Sequence, residues 1–187
     1  DVSNVTNMRS MFNSAESFNQ GLNNWDVSNV TNLNSMFKGA SDFNQPLSIW
    51  DVSNVTNMRR MFDDAENFNQ PLNNWDVSSV TYMDYMFVDA KSFDQPLNDW
   101  DVSNVISMRG LFGGFDFDMI FNQPLDNWDV SNVTDIGYMF RGADSFDQDI
   151  SSWNTENVTN MGSMFFNANT FNQDISSWCV EQIPTEP

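Results

Sequence analysis

Large apolar residues fall along this chain in a pattern that restarts every 25 residues. From Asp1 the apolar positions are Val2, Val5, Met8, Met11, Phe12, Ala15, Phe18, Leu22 and Trp25, with polar residues in nearly all the gaps. The tryptophans at Trp25, Trp50, Trp75, Trp100, Trp128, Trp153 and Trp178 mark the repeat, and every step between them is 25 residues except one of 28. A fixed period of this length signals units that each form one supersecondary element and bury their apolar face only against neighbours. A single unit is too short to hold a core, whereas seven in a row can bury continuous columns.

Across each unit boundary the text reads Leu22-Asn-Asn-Trp25-Asp26-Val27. Trp25 and Val27 alternate about Asp26, which predicts a strand of about three to five residues with both apolar side chains inward. Such strands from successive units would lie parallel, with the rest of each unit as the crossover. After the capping residues Ser3 and Asn4 come Val5, Met8, Met11, Phe12, Ala15 and Phe18, which on a helix would share an arc of roughly 140°. The spacing predicts one amphipathic helix of about two to three turns, partly 3-10 in character. Pro46, Pro71, Pro96 and Pro124 then send the chain back toward the next strand. The predicted fold class is α/β, with parallel strands on one face and short helices on the other.

The predicted organisation is one repeat domain over 1–178, in units 1–25, 26–50, 51–75, 76–100, 101–128, 129–153 and 154–178, followed by a partial unit and Pro-containing tail at 179–187. Phe12, Phe37, Phe62, Phe87, Phe112, Phe140 and Phe165 form one predicted core column, and Phe18 through Phe171 a second. The Gln20 to Gln173 column and its Asn or Asp neighbours read as side-chain ladders between units.

The net charge of −19, from 26 acidic against 7 basic residues, argues against nucleic-acid binding and suits a cationic partner. No apolar run approaches the length of a membrane span. There is no His, no nucleophile beside a base, no Gly-rich phosphate loop and no metal-ligand spacing, so the chain is expected not to be an enzyme. Cys179 is the one cysteine and cannot form an internal disulfide; a buried thiol and a bond to a cysteine outside this sequence are both open. The sequence begins at Asp1, on a unit boundary, and is read as part of a larger chain.

The L-x-x-W-x-V boundary, the S-N-V-T-N-M-x-x-M-F stretch and the A-x-x-F-N-Q-P-L return together resemble the BspA-like leucine-rich-repeat family. They are most similar to its 25-residue mycoplasma-type branch, a repeat domain of unknown function. The resemblance covers units one to seven. It implies a right-handed leucine-rich-repeat-like solenoid in secreted or cell-surface proteins, with roles in adhesion and protein recognition, and no catalytic residues come with it.

Recognition of a protein or glycan is expected on the predicted strand face, which would be concave. Its candidate residues are Asn24, Asp26, Ser28, Ile49, Asp51, Asn74, Asp76, Asp99, Asp101, Asn127 and Asp129. Like charges on adjacent strands are costly unless hydrogen bonds, such as those from the Ser two residues on, or cations intervene. Ca²⁺ is therefore a candidate ligand, although it would need oxygens shared between units. A second candidate is the Gly113–Ile120 stretch that lengthens unit five, where Phe115, Phe117, Met119 and Ile120 would form a contact loop if exposed. The rival functions are a structural stalk and ice or mineral binding by the Thr6 to Thr159 ladder, which Ile106 interrupts.

Overall fold

The computed structural model describes residues 1–116 and 118–183, and its repeated element is a loop of tight turns. Among the described residues there is no helix, and β-pairing is confined to single-residue parallel bridges running Asn7, Asn32, Asn57, Tyr82, Ser107, Asp135 and Asn160. The expected α/β solenoid of leucine-rich-repeat type, with a strand at Trp25–Val27 and a helix over Val5–Phe18, is thereby overturned.

The hydrogen bonds explain why the apolar spacing suggested a helix. The N–H of Val5 donates to the Val2 carbonyl at 2.9 Å, Met11 to Met8 at 3.3 Å, Ala15 to Phe12 at 3.1 Å, Phe18 to Ala15 at 2.9 Å and Trp25 to Leu22 at 2.9 Å. These three-residue apolar steps are thus tight turns, while between Val5 and Met8 the Met8 N–H crosses to the Asn32 carbonyl of the next unit. A helix would alternate steps of three and four to keep its stripe on one face, whereas the run Val2, Val5, Met8, Met11 drifts by about 60° per step.

Left-handed backbone stops these turns from merging into a helix. The tenth residue of every unit has positive φ: 57° at Ser10 and Ser35, 55° at Arg60, 56° at Tyr85, 63° at Gly110, 60° at Tyr138 and 54° at Ser163. So does the fourteenth residue at Ser14, Gly39, Asp64, Asp89, Gly142 and Asn167. With these reversals, alternate N–H groups leave the local turn and reach the next unit. In unit two the donors Leu33, Ser35, Phe37 and Gly39 meet the carbonyls of Asn57, Arg59, Met61 and Asp63 at 2.7–3.0 Å, and the same four bonds recur at all six junctions. On the other side of the bridge, Thr31 N–H donates back to Thr6 at 2.9 Å.

Tryptophan points into the core as its spacing suggested, but it closes a turn instead of sitting on a strand. The indole N–H of Trp50 donates to the Leu22 carbonyl of the preceding unit at 3.0 Å, and Trp75, Trp100, Trp128, Trp153 and Trp178 repeat the bond at 2.9–3.1 Å. That carbonyl already accepts the N–H of Trp25, so both its lone pairs are used. The Phe columns run through the core as expected: Phe37 lies 4.1 Å from Phe43 within its unit and 5.7 Å from Phe62 in the next, with near-parallel planes. The side-chain ladder is also present, since Asn19 Oδ1 accepts from Asn44 N–H at 3.1 Å and from Gln45 Nε2 at 2.9 Å, and later units repeat the pair.

The three extra residues of unit five leave this register intact. Gly114 N–H still reaches the Arg141 carbonyl, and Trp128 still reaches Leu97 at 2.9 Å. Met119 is buried in the core and packs over Gly114, at whose position a Cβ would lie 2.7 Å from the Met119 side chain.

Two substitutions test the turn-built unit. Ser35→Val places a β-branched residue in the left-handed region and should lower the unfolding free energy by about 2 kcal/mol, while Ser35→Gly should leave it within about 0.5 kcal/mol. Trp75→Phe removes one junction hydrogen bond and leaves a cavity, for an expected loss of about 2 kcal/mol in urea unfolding.

Candidate functional site

The expected binding residues do share one exposed strip, but it is made of turns. Asn24, Asp26, Ile49, Asp51, Asn74, Asp76, Asp99, Asp101, Asn127 and Asp129 are exposed and Ser28 is half-buried. Asp99, Asp101, Asn127 and Asp129 line a shallow groove beside Trp100. No strand underlies them, so their placement as a strand face is corrected to a row of Asx turns. Asp26 Oδ1 accepts the Ser28 N–H at 3.1 Å and the Ser28 hydroxyl at 2.6 Å, and Asp51, Asp76 and Asp101 do the same with Ser53, Ser78 and Ser103. The Ser hydroxyl, followed by the Ser N–H, holds the carboxyls of Asp26, Asp76 and Asp129 below the ordinary value of 3.8. Among the described residues no three acidic or thiol groups converge as a metal cage.

The Asn at the fourth position of five units is also engaged. Asn29, Asn54, Asn104, Asn132 and Asn157 each donate Nδ2 to a carbonyl of the preceding unit at 2.8 Å. The Thr hydroxyls of Thr31, Thr56, Thr134 and Thr159 likewise donate to the unit before.

The contact loop divides. Phe115 and Ile120 are 57% and 46% exposed, Met119 is buried, and Phe117 lies outside the described residues. The loop is tied down by charge and by backbone: Lys91 lies 3.1 Å from Asp116, 3.6 Å from Asp118 and 3.4 Å from Glu66, while Phe115 N–H donates to Asp89 Oδ1 at 2.7 Å. The hydrogen bond with Asp116 raises the Lys91 ammonium well above its usual value. Burial raises the carboxyls of Asp64 and Asp89.

Beside this loop stands a cluster that the sequence reading did not assemble. The guanidinium of Arg59 lies 4.0 Å from the Tyr82 ring centre, Arg60 lies 4.6 Å from Tyr85, Arg109 4.6 Å from Tyr138, and Arg141 4.6 Å from Phe115 and 5.5 Å from Phe166. Arg109 Nε also donates to the Tyr85 hydroxyl at 2.7 Å, and its Nη1 lies 3.3 Å from Asp135 Oδ2. Tyr85, Arg109, Phe115, Tyr138 and Arg141 enclose an open cleft of about 390 Å³. Glycine makes room for it: a Cβ on Gly110 would lie 2.4 Å from Tyr85 Cδ1. The signal was available, because the chain's three tyrosines all stand at the seventh or tenth position of a unit, where most other units carry Asn or Ser.

A tandem array of turn-built units with exposed side-chain strips is what the geometry defines. The chain belongs to the family described as Mycoplasma protein of unknown function, DUF285, which matches residues 1–97, 49–119 and 97–186. This match supports the mycoplasma-type repeat, while the leucine-rich-repeat architecture is excluded by the turn-built fold. No curated protein and no solved structure matches the chain.

The carboxylate assignments carry a signed pH dependence. Because the pKa values of Asp26, Asp76 and Asp129 are lowered on folding, they contribute stability that is complete above pH 3.8 and is lost as pH falls through their folded values. Asp64 and Asp89, being raised, act oppositely and favour the folded state as they protonate above pH 3.8. An NMR titration should find the Asp76 carboxyl below the ordinary range, and Ser78→Ala should move it back toward 3.8.

Proposed function

We propose that this chain is a non-enzymatic segment of a secreted or cell-surface protein that recognises a protein or glycan partner through an exposed flank. One observation carries the reading: the departures from the repeat converge in space. Tyr85, Gly110, Gly113, Gly114 and Phe115 at the start of the lengthened stretch, Tyr138 and Arg141 come from three successive units and border adjoining clefts. Tyr and Arg are the residue types that dominate recognition hot spots, because they bring large contact area together with polar ends. The Asp26 to Asp129 strip lends less weight, since its carboxylates are turned to their own Ser residues.

A spacer role is the second reading, and the uniformity of the stack favours it. The same four backbone bonds at all six junctions make a body whose main attribute is regular length. The two readings separate in a retention assay on immobilised collagen, fibronectin and cell-wall polysaccharides. Retention that falls at least about fivefold in Arg109→Gln and stays unchanged in Asp101→Ala is expected for recognition at the cleft. Failure of every immobilised probe to retain the wild-type chain overturns the recognition reading and leaves the spacer.

A further inference from the structure

The cleft on units four to six has a chemistry narrower than recognition in general. Its charged groups are partly matched. Arg109 faces Asp135 at 3.3 Å across the junction between units five and six, and Asp135 also accepts from Asn160 Nδ2 at 3.0 Å. Tyr85 accepts from Arg109 through its hydroxyl oxygen, and its hydroxyl hydrogen has no acceptor among the described residues. Guanidinium N–H groups and a phenol therefore line the cleft, and the Asp135 carboxylate, about a quarter exposed, adjoins them through Arg109.

Around these polar groups stand flat apolar faces. The Tyr138 ring carries the Arg109 guanidinium at 4.6 Å, and the half-exposed Phe115 ring packs against Arg141 at 4.6 Å. The cleft volume of about 390 Å³ lies in the range of small-ligand sites. A ligand that fits must offer vicinal hydroxyls to the Arg109–Asp135 pair and an apolar C–H face to the rings.

Charge narrows the class further. The chain carries −19 overall, so an anionic ligand approaches against the whole-protein field. A cationic ligand would meet the guanidiniums of Arg109 and Arg141 at the cleft itself. A neutral sugar ring meets neither obstacle and satisfies both the polar pair and the aromatic faces.

We infer that the cleft lined by Tyr85, Arg109, Phe115, Tyr138 and Arg141 binds neutral glycan, stacking a pyranose face on an aromatic ring and hydrogen-bonding its hydroxyls to Arg109 and to the Asp135 carboxylate paired with it. This rests on the recognition reading above and names its ligand class.

The test is calorimetry and saturation-transfer NMR on the full chain with cellotetraose, mannotetraose, chitotetraose and, as the anionic counterpart, tetragalacturonate. At least one neutral tetrasaccharide should bind, with its ring protons showing transfer when the aromatic protons of the protein are saturated. Phe115→Ala and Arg109→Gln should each weaken that binding about tenfold. For Phe115→Ala, whose ring is exposed, the melting temperature should be unchanged, which separates lost recognition from lost folding. Absence of binding by all three neutral sugars, tighter binding of tetragalacturonate, or unaltered affinity in Phe115→Ala would overturn the inference. If the neutral sugars fail while collagen or fibronectin still retains the chain, only the ligand class is wrong; if those fail as well, the recognition reading falls with it.

Discussion

A turn-built unit satisfies only part of its backbone. Over residues 33–40, the N–H groups of Met36, Lys38 and Ala40 close local turns, while those of Leu33, Ser35, Phe37 and Gly39 point at the next unit. Buried N–H groups left without acceptors are costly, so the unit exists only in the company of others with the same shape. Everything else in the stack follows from that requirement. The Trp50 indole doubles the junction at the Leu22 carbonyl, the Asn19–Gln45 pairs line it with side chains, and the Phe columns fill the space between.

The requirement also dictates where the chain is free to vary. An inserted residue between Met108 and Gly114 would throw the junction bonds beyond it out of register, and the extra length comes just after Gly114, where the ladder of junction bonds ends. Substitution is tolerated where a side chain leaves the stack. Position ten accepts Ser, Arg, Tyr and Gly, and position fourteen Ser, Gly, Asp and Asn, but neither carries Val, Ile or Thr in any unit. The left-handed backbone explains the exclusion, because branching at Cβ crowds the following carbonyl there.

That exclusion shows how much of the fold was legible. The columns of Phe12 and Phe18 and the Asn and Gln ladder follow directly from the period, and the structure contains them. The secondary structure does not follow, because a helix stripe and a run of three-residue turns bury nearly the same residues. Hydrophobic spacing reports which side chains go inward and says little about how the backbone brings them there. The polar positions hold the missing signal: the Ser, Arg and Tyr at Ser10, Ser35, Arg60, Tyr85 and Tyr138 are chemically unlike types that share a left-handed conformation. The Asp column was legible in part, since the expected Ser hydrogen bonds do answer the repulsion between like charges, but they answer it within Asx turns and without a strand. The aromatic cleft was not legible, because Tyr85, Arg109 and Tyr138 are 24 and 29 residues apart in sequence and meet only once the unit length is converted into a junction.

Conformational strain and surface chemistry coincide at position ten. Tyr85 and Tyr138 hold φ values of 56° and 60°, a conformation that costs of order 1–3 kcal/mol for a non-glycine residue. Ser35 occupies the same position with a small polar side chain, so the fold itself does not call for a bulky ring there. Gly110 lies between the two tyrosines in the stack, and its lack of a side chain lets the Tyr85 ring lie across unit five beside Arg109. The junctions to either side would close equally well around three serines. What the tyrosines, the glycine and the arginine add is a cleft with aromatic walls and paired polar groups, placed at the one unit whose length breaks the repeat.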